Sequence, residues 1–160
     1  MEIVKAHLTD LAEIMAIYQH ARAYMASIGN GSQWGDSYPA SAQIEQDIAA
    51  GHCYVCRDDD KIVATFYFAI EEEPTYQRID DGAWFNDRPY GVLHRIAVKS
   101  EQRGIATFCL AWCFELAGNM RIDTHENNAP MRHILQKLGF QYCGIIYVRD
   151  GSPRLAYQKC

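Results

Sequence analysis

The chain has 160 residues, of which 49% are apolar, and it contains ten Tyr, six Phe and three Trp. That length suits one domain with a sizeable core and argues against disorder. The formal net charge is -5 and the pI is about 5.6, whereas proteins that bind a phosphate backbone usually present a basic face. We therefore predict a single domain over residues 1–160 that does not bind nucleic acid.

The sequence also limits the compartment and the use of the six cysteines. The N-terminus lacks the apolar region of a signal peptide, and no stretch approaches the roughly 18 apolar residues of a membrane span. We expect a cytoplasmic protein with reduced thiols and no membrane association. Cys53 and Cys56 lie in an alternating run, which points them to opposite faces, and Cys109 and Cys113 have no second ligand pair. No metal site is predicted.

In the first half of the chain, turn and capping residues bound five predicted elements. Thr9 and Ser41 cap two helices, which end at Gly29 and Gly51. The predicted strands and helices, in chain order, are Ile3–Val4, Asp10–Ile28, Ala42–Ala50, Cys53–Arg57 and Ile62–Ile70.

A long irregular stretch follows and is rich in acidic residues. Glu71, Glu72 and Glu73 open it, and Asp80 and Asp81 follow farther on. Such charges are usually a solvated loop. They could instead form the rim of a cleft that attracts an ammonium group.

In the second half of the chain, the sequence predicts a strand that is followed by two helices and three further strands. Its elements are Gly91–Val98, Ile105–Ala117, Met120–Thr124, Ala129–Leu138, Tyr142–Tyr147 and Arg154–Gln158. The complete order is β-α-α-β-β-β-α-β-α-β-β. This order predicts an α/β protein with a mixed sheet and helices on its faces.

The segment between the predicted strand Gly91–Val98 and the predicted helix Ile105–Ala117 resembles a phosphate-binding turn. A strand ends, a short loop runs from Lys99 to Arg103, and a helix begins after Gly104. Amides in the first turn of a helix suit an anion, small Ala106 and Thr107 leave room, and Arg103 could add charge. Many such glycines only make the turn. The sequence contains neither a GxxxxGK[ST] nor a GxGxxG motif, so nucleotide hydrolase and dinucleotide folds are not supported.

Two motifs in this half resemble the GCN5-related N-acetyltransferase (GNAT) family. Glu101 to Ala106 occupies the frame of the family motif [Q/R]-x-x-G-x-[G/A], with Glu101 departing at the first position. Asn128 is followed by a helix and by Lys137-Leu138-Gly139-Phe140, in the family register. The segments HRIA, FCLxWC, IDTH and GFxYCGIIY also resemble a bacterial branch of the family, so the similarity covers nearly the whole chain.

This resemblance implies a mostly antiparallel mixed sheet with about four flanking helices. Its fourth and fifth strands would part to admit the pantetheine arm of acetyl-CoA. Residues 1–90 would form the acceptor side and residues 91–160 the CoA-binding half. The implied cofactor-binding residues are Ile96, Ala97, Val98, Arg103, Gly104, Ile105, Ala106, Thr107 and Asn128.

The resemblance also implies direct acetyl transfer to an amine, which must lose a proton before it attacks the thioester. His94 is the first candidate for the base, and His125 could act as acid or orient the thioester. The family often places a proton-donating Tyr where this chain has Leu135. That departure leaves open a CoA-binding sensor or interaction module without catalysis.

The acceptor is not named by the sequence. Trp34, Tyr38 and Trp84 lie in predicted loops, where large aromatic residues are less expected than in cores, and they could line an acceptor pocket. The partner is a small-molecule or peptide amine. A homodimer is compatible with the resemblance, because dimers are common in the family.

Overall fold

The computed structural model describes residues 1–99 and 104–160. Seven strands and four helices of these residues follow the predicted order. The strands are β1 (Glu2–Lys5), β2 (Cys53–Asp58), β3 (Lys61–Ile70), β4 (Gly91–Val98), β5 (Met120–Thr124), β6 (Gln141–Tyr147) and β7 (Pro153–Lys159). The helices are α1 (Leu11–Ser27), α2 (Ser41–Ala50), α3 (Ile105–Ala117) and α4 (Ala129–Lys137).

Within the described residues, the strands form one mixed sheet in the order β1-β2-β3-β4-β5-β7-β6. Antiparallel ladders join β1 to β2, β2 to β3, β5 to β7 and β7 to β6. β4 and β5 are parallel, and their ladder pairs Gly91 with Met120 and Val92 with Arg121. The described pairing of β4 with β5 thus involves only the first two residues of β4. The mixed, mostly antiparallel sheet with four helices confirms the predicted fold class.

The first of two compact units contains Met1–Phe68 and Leu93–Leu110. Helix α1 contributes four buried side chains at the i, i+3, i+4, i+7 spacing of one helix face. They are Ile14, Ile17, Tyr18 and Ala21. These side chains share a core with residues of α2 and the strands, including Ala97 of β4. The part of β4 that contains Ala97 is therefore anchored in the packed core of the first unit.

The second compact unit contains Ala69–Val92 and Ala111–Cys160. Its buried apolar side chains come mostly from α3, α4 and the strands β5, β6 and β7, and partly from the segments between them. They include Cys113, Met120, Ile122, Leu135, Phe140, Ile146 and Tyr157. Leu135 on α4 has no exposed surface, so this position serves packing.

Residues 71–90, the irregular stretch of the sequence, are held in place within the second unit. Asn119 donates a hydrogen bond to Oδ1 of Asn86 at 2.9 Å, and Gln158 Oε1 accepts one from the backbone N of Phe85 at 2.8 Å. A Cβ atom added at Gly82 would lie 1.9 Å from the carbonyl O of Cys143. This stretch is a packed loop, although several of its acidic side chains are exposed.

None of the described helices is both long and apolar enough to cross a membrane. Among the described residues, no three or more His, Cys, Asp or Glu side chains are grouped so that they could hold a metal ion.

Candidate functional site

Helix α3 begins directly after Gly104, whose backbone is left-handed. Gly104 has a φ of +94°, a left-handed value that favours glycine, and its carbonyl O accepts the first helical hydrogen bond, from the N of Phe108 at 2.9 Å. The amides of residues 105–107 therefore belong to the first turn, where an α-helix has no acceptors for them. A Cβ atom at Gly104 would meet no atom of the described residues within 4 Å. Arg103 lies outside the described residues.

β4 leads towards this turn and contains an irregular residue. Arg95 has a φ of +54°, which is uncommon for a residue with a side chain and costs about 1–2 kcal/mol. Its carbonyl O accepts a hydrogen bond of 2.7 Å from the Tyr18 hydroxyl. Burial raises the pKa of Tyr18 well above its ordinary value, so this phenol stays a neutral donor. Ile96, Ala97 and Val98 follow, and the Ala97 side chain is buried.

The Arg95 side chain connects three segments of the first unit. Its Nη2 donates to Oδ2 of Asp47 in α2 at 2.5 Å, and its Nη1 donates to the Tyr38 hydroxyl at 3.2 Å. The guanidinium also lies 5.0 Å from the ring centre of Tyr67. The side chains of Arg95 and Asp47 are only 12% and 7% exposed, so this is a buried ion pair.

The two aromatic residues predicted in the loop before α2 lie beside this ion pair. The ring of Trp34 packs edge-on against Tyr18 at 5.6 Å and against Tyr38 at 6.3 Å. Trp34 is half-buried, whereas Tyr38 remains exposed while its hydroxyl contacts Arg95. The structure thus brings Trp34 and Tyr38 together with β4.

His94 and His125 have different surroundings. His94 is half-buried on β4, with its ring 5.7 Å from that of Tyr67. His125 belongs to the second unit, and its Nδ1 accepts a hydrogen bond of 3.0 Å from the backbone N of Asn127. That contact keeps Nδ1 unprotonated, so the neutral ring carries its proton on Nε2. Burial, reinforced by the charge of Arg154, lowers the pKa of His125.

Asn128 and Trp84 also lie in the second unit and have structural contacts there. Asn128 caps α4, where its Oδ1 accepts a hydrogen bond of 3.3 Å from the N of Met131. Trp84 donates from Nε1 to the carbonyl O of Tyr76 at 2.8 Å. Its ring also packs 4.6 Å from the guanidinium of Arg121.

Two residues of interest, Arg95 and Arg121, were not selected from the sequence. Each arginine lies inside a strand next to apolar residues, in the runs Leu93–Ala97 and Met120–Ile122. A charged residue in such a run is rarely buried unless it is paired, and that pattern was the available signal.

The family model for the acetyltransferase (GNAT) family matches residues 14–140. No curated protein matches the sequence. Among solved structures, a GNAT-family acetyltransferase from Streptococcus agalactiae is 36% identical, with 99% of this chain and 94% of that chain covered and a TM-score of 0.89. A Staphylococcus aureus protein described as an acetyltransferase is 25% identical, with 99% and 98% covered and a TM-score of 0.73.

A third structure shares the fold at lower identity. The yncA protein of Salmonella typhimurium, solved with its cofactor acetyl-CoA, is 18% identical, with 99% of this chain and 92% of that chain covered and a TM-score of 0.65. The family match and the S. agalactiae relative confirm the resemblance seen in the motifs and the enzyme class it implies. With most of its length matched by the family model, the chain belongs to the acetyltransferase (GNAT) family.

Proposed function

We propose that this protein transfers an acetyl group from acetyl-CoA directly to the amine of a small molecule or peptide. Membership of the GNAT family supports acetyl transfer, and yncA, which has the same fold, carries acetyl-CoA as its cofactor. The observation that carries the proposal is the start of α3. There a left-handed Gly104 precedes a helix whose first-turn amides have no acceptor within the helix itself.

The chain offers groups that fit each part of acetyl-CoA, which supplies an activated acetyl thioester. The amides of Ile105, Ala106 and Thr107 would bind the diphosphate, since a helix N-terminus favours negative charge. Arg103 would add a charged contact. The backbone of Ile96, Ala97 and Val98 would pair with the pantetheine amides as a neighbouring strand does. Asn128, whose orientation is fixed by capping α4, would contact the pantetheine or thioester region.

Two histidines would divide the proton chemistry between them. His94, half-buried on β4, would accept the proton of the attacking amine. His125 suits a different task, because its Nδ1 already accepts a backbone hydrogen bond and its Nε2 carries the proton. It would donate a hydrogen bond that orients the thioester carbonyl rather than act as the base.

Leu135 favours a second candidate function, a CoA-binding sensor or interaction module without catalysis. This side chain is fully buried and cannot give a proton to the departing thiolate. Transfer remains feasible without such a donor, since thiols have a pKa of about 8.5 and leave readily as thiolates near neutral pH. Release of CoA thiol in the presence of a broad panel of amines separates the enzyme from the sensor.

The binding site is tested by titrating CoA into Gly104→Asp. The new carboxylate would repel the diphosphate from the first turn of α3, and we expect the Kd for CoA to rise at least about tenfold, or about 1.4 kcal/mol. Gly151→Asp is the matched control. Gly151 is also exposed, has a φ of +85° and has no atom within 4 Å of an added Cβ.

Both variants therefore suffer the same backbone strain, and only one places charge at α3. Equal CoA affinities in the two variants would refute the assigned diphosphate site at the start of α3. Tight CoA binding by the unaltered protein with no thiol release for any amine would instead favour the sensor.

A further inference from the structure

The second unit contains a small cavity with charges of opposite sign on its floor and its rim. Its volume is about 230 Å³, and it is lined by Glu72, Tyr76, Gln77, Asp87, Tyr90 and Arg121. Tyr76, Tyr90 and Arg121 are buried and form the floor, whereas Glu72, Gln77 and Asp87 are exposed and form the rim. Pockets for drug-sized ligands usually measure about 300–1,000 Å³, so this cavity suits a smaller molecule.

Arg121 is a buried cation without a carboxylate partner among the described residues. It is 7% exposed, its Nη2 donates to the carbonyl O of Asn86 at 2.6 Å, and its Nε is buried with no described hydrogen-bond partner. The guanidinium lies between the rings of Tyr90 and Trp84, at 4.2 and 4.6 Å. A buried charge that forms no close ion pair is costly, Asp87 on the rim attracts this one only from a distance, and a guanidinium donates strongly to a carboxylate. The cavity floor can thus recognise a carboxylate group.

The groups around Arg121 are fixed before any ligand arrives. The Tyr76 hydroxyl donates to Oδ2 of Asp123 at 2.6 Å, and the Tyr76 carbonyl accepts from Trp84. Asn86, which holds the guanidinium, is itself bound by Asn119. Such preorganisation favours binding, because little conformational freedom is lost when a ligand enters.

The rim has the opposite charge. Glu72 and Asp87 are exposed carboxylates, which attract an ammonium group. The rim would attract a simple amine, but Arg121 would repel it. Arg121 would attract a simple carboxylate, but the rim would repel it. A molecule that carries both groups satisfies the floor and the rim together.

We propose that this cavity binds a small amino acid, with its carboxylate on Arg121 and its ammonium group towards Glu72 and Asp87. This binding needs no acetyl-CoA, so it goes beyond the proposed acetyl transfer and does not depend on it.

The test measures binding of each of the twenty amino acids to the whole protein by calorimetry, without acetyl-CoA. For the tightest ligand, the carboxamide and the analogue lacking the amino group are then compared. We expect each analogue to bind at least about tenfold more weakly, since hydrogen bonds to charged groups are stronger than those between neutral groups. Absence of millimolar binding by every amino acid, or equal binding by the carboxamide, would overturn the proposal.

Variants locate the site. Arg121→Lys keeps the charge but loses the planar fork, and we expect at least about tenfold weaker binding. Because Arg121 also packs against two rings, the rim gives a second test that leaves the core intact. The double variant Glu72→Gln, Asp87→Asn should weaken binding severalfold at an unchanged Tm, whereas Glu115→Gln, an exposed acid on α3, should change neither. An unchanged Kd in the rim double variant would place the amino acid elsewhere.

The two proposals fail separately. If CoA thiol is released with an amine while no amino acid binds, the cavity proposal fails and the transfer proposal stands. If Gly104→Asp leaves CoA affinity intact while amino-acid binding follows Arg121, the cofactor site is wrong and the cavity stands.

Discussion

A single hydrogen bond decides which proton His125 can move. In His125 the backbone N of Asn127 occupies Nδ1, so protonation there would break a hydrogen bond. Burial lowers the pKa of the same ring, which keeps it neutral at pH 7 and above, since an ordinary histidine has a pKa of about 6.5. His125 is therefore suited to donate from Nε2 over the whole neutral range.

Replacing each histidine should change the pH dependence of thiol release differently. His94→Ala removes the proposed base, so we expect a lower kcat and a pH profile that differs from that of the unaltered protein. His125→Asn keeps an N–H donor, so we expect a smaller loss of kcat and an acidic limb that stays in place. The measurement is kcat from pH 5.5 to 9 with the best amine of the panel. An unaltered profile in His94→Ala would exclude it as the base.

Among the elements, α2 and β4 are joined through one buried ion pair, Asp47 with Arg95. Because Arg95 holds an uncommon backbone conformation immediately before Ile96, its side-chain contacts help to fix the strand where acetyl-CoA is proposed to bind. The Tyr38 hydroxyl adds the loop before α2 to the same contact. The loop that contains Tyr38 and the strand β4 of the first unit thus share one anchoring residue.

Breaking that pair should be costly. Asp47→Asn leaves the Arg95 guanidinium buried beside a neutral amide, and we expect a loss of roughly 3–5 kcal/mol in the free energy of unfolding. Urea denaturation measures it. The control is Asp80→Asn, which removes the exposed pair with Arg78 and should leave the urea midpoint almost unchanged. Similar midpoints for the two variants would contradict a structural role for the buried pair.

Over the whole molecule, local patterns predicted the elements and missed the contacts between distant segments. The first helix was predicted over Asp10–Ile28 and runs over Leu11–Ser27, because spacing and capping residues are local properties. The pairing of Asp47 with Arg95 spans 48 residues and follows from how the chain packs. The same holds for Arg121 beside Trp84, so the GNAT fold was predictable from ordered motifs while the cavity floor was not.

The cysteines differ in their exposure to solvent, and this difference determines which thiols can react. Five of the six described cysteines are buried, and only Cys160 is exposed. Burial raises the pKa of Cys53 and of Cys143 to about 11 and raises that of Cys56 and Cys113 as well, so few thiolates form at pH 8. The native protein should therefore present one fast-reacting thiol.

Titration with a disulfide reagent at pH 8 should show one rapid thiol per native chain and six after denaturation. Cys160→Ser should abolish the rapid phase, whereas Cys143→Ser should preserve it, because the Cys143 thiol is buried. A second rapid thiol in the native protein would mean that a core segment opens on the timescale of the reaction. Since release of CoA is followed with the same reagent, the Cys160→Ser protein should give the thiol-release assay its lowest background.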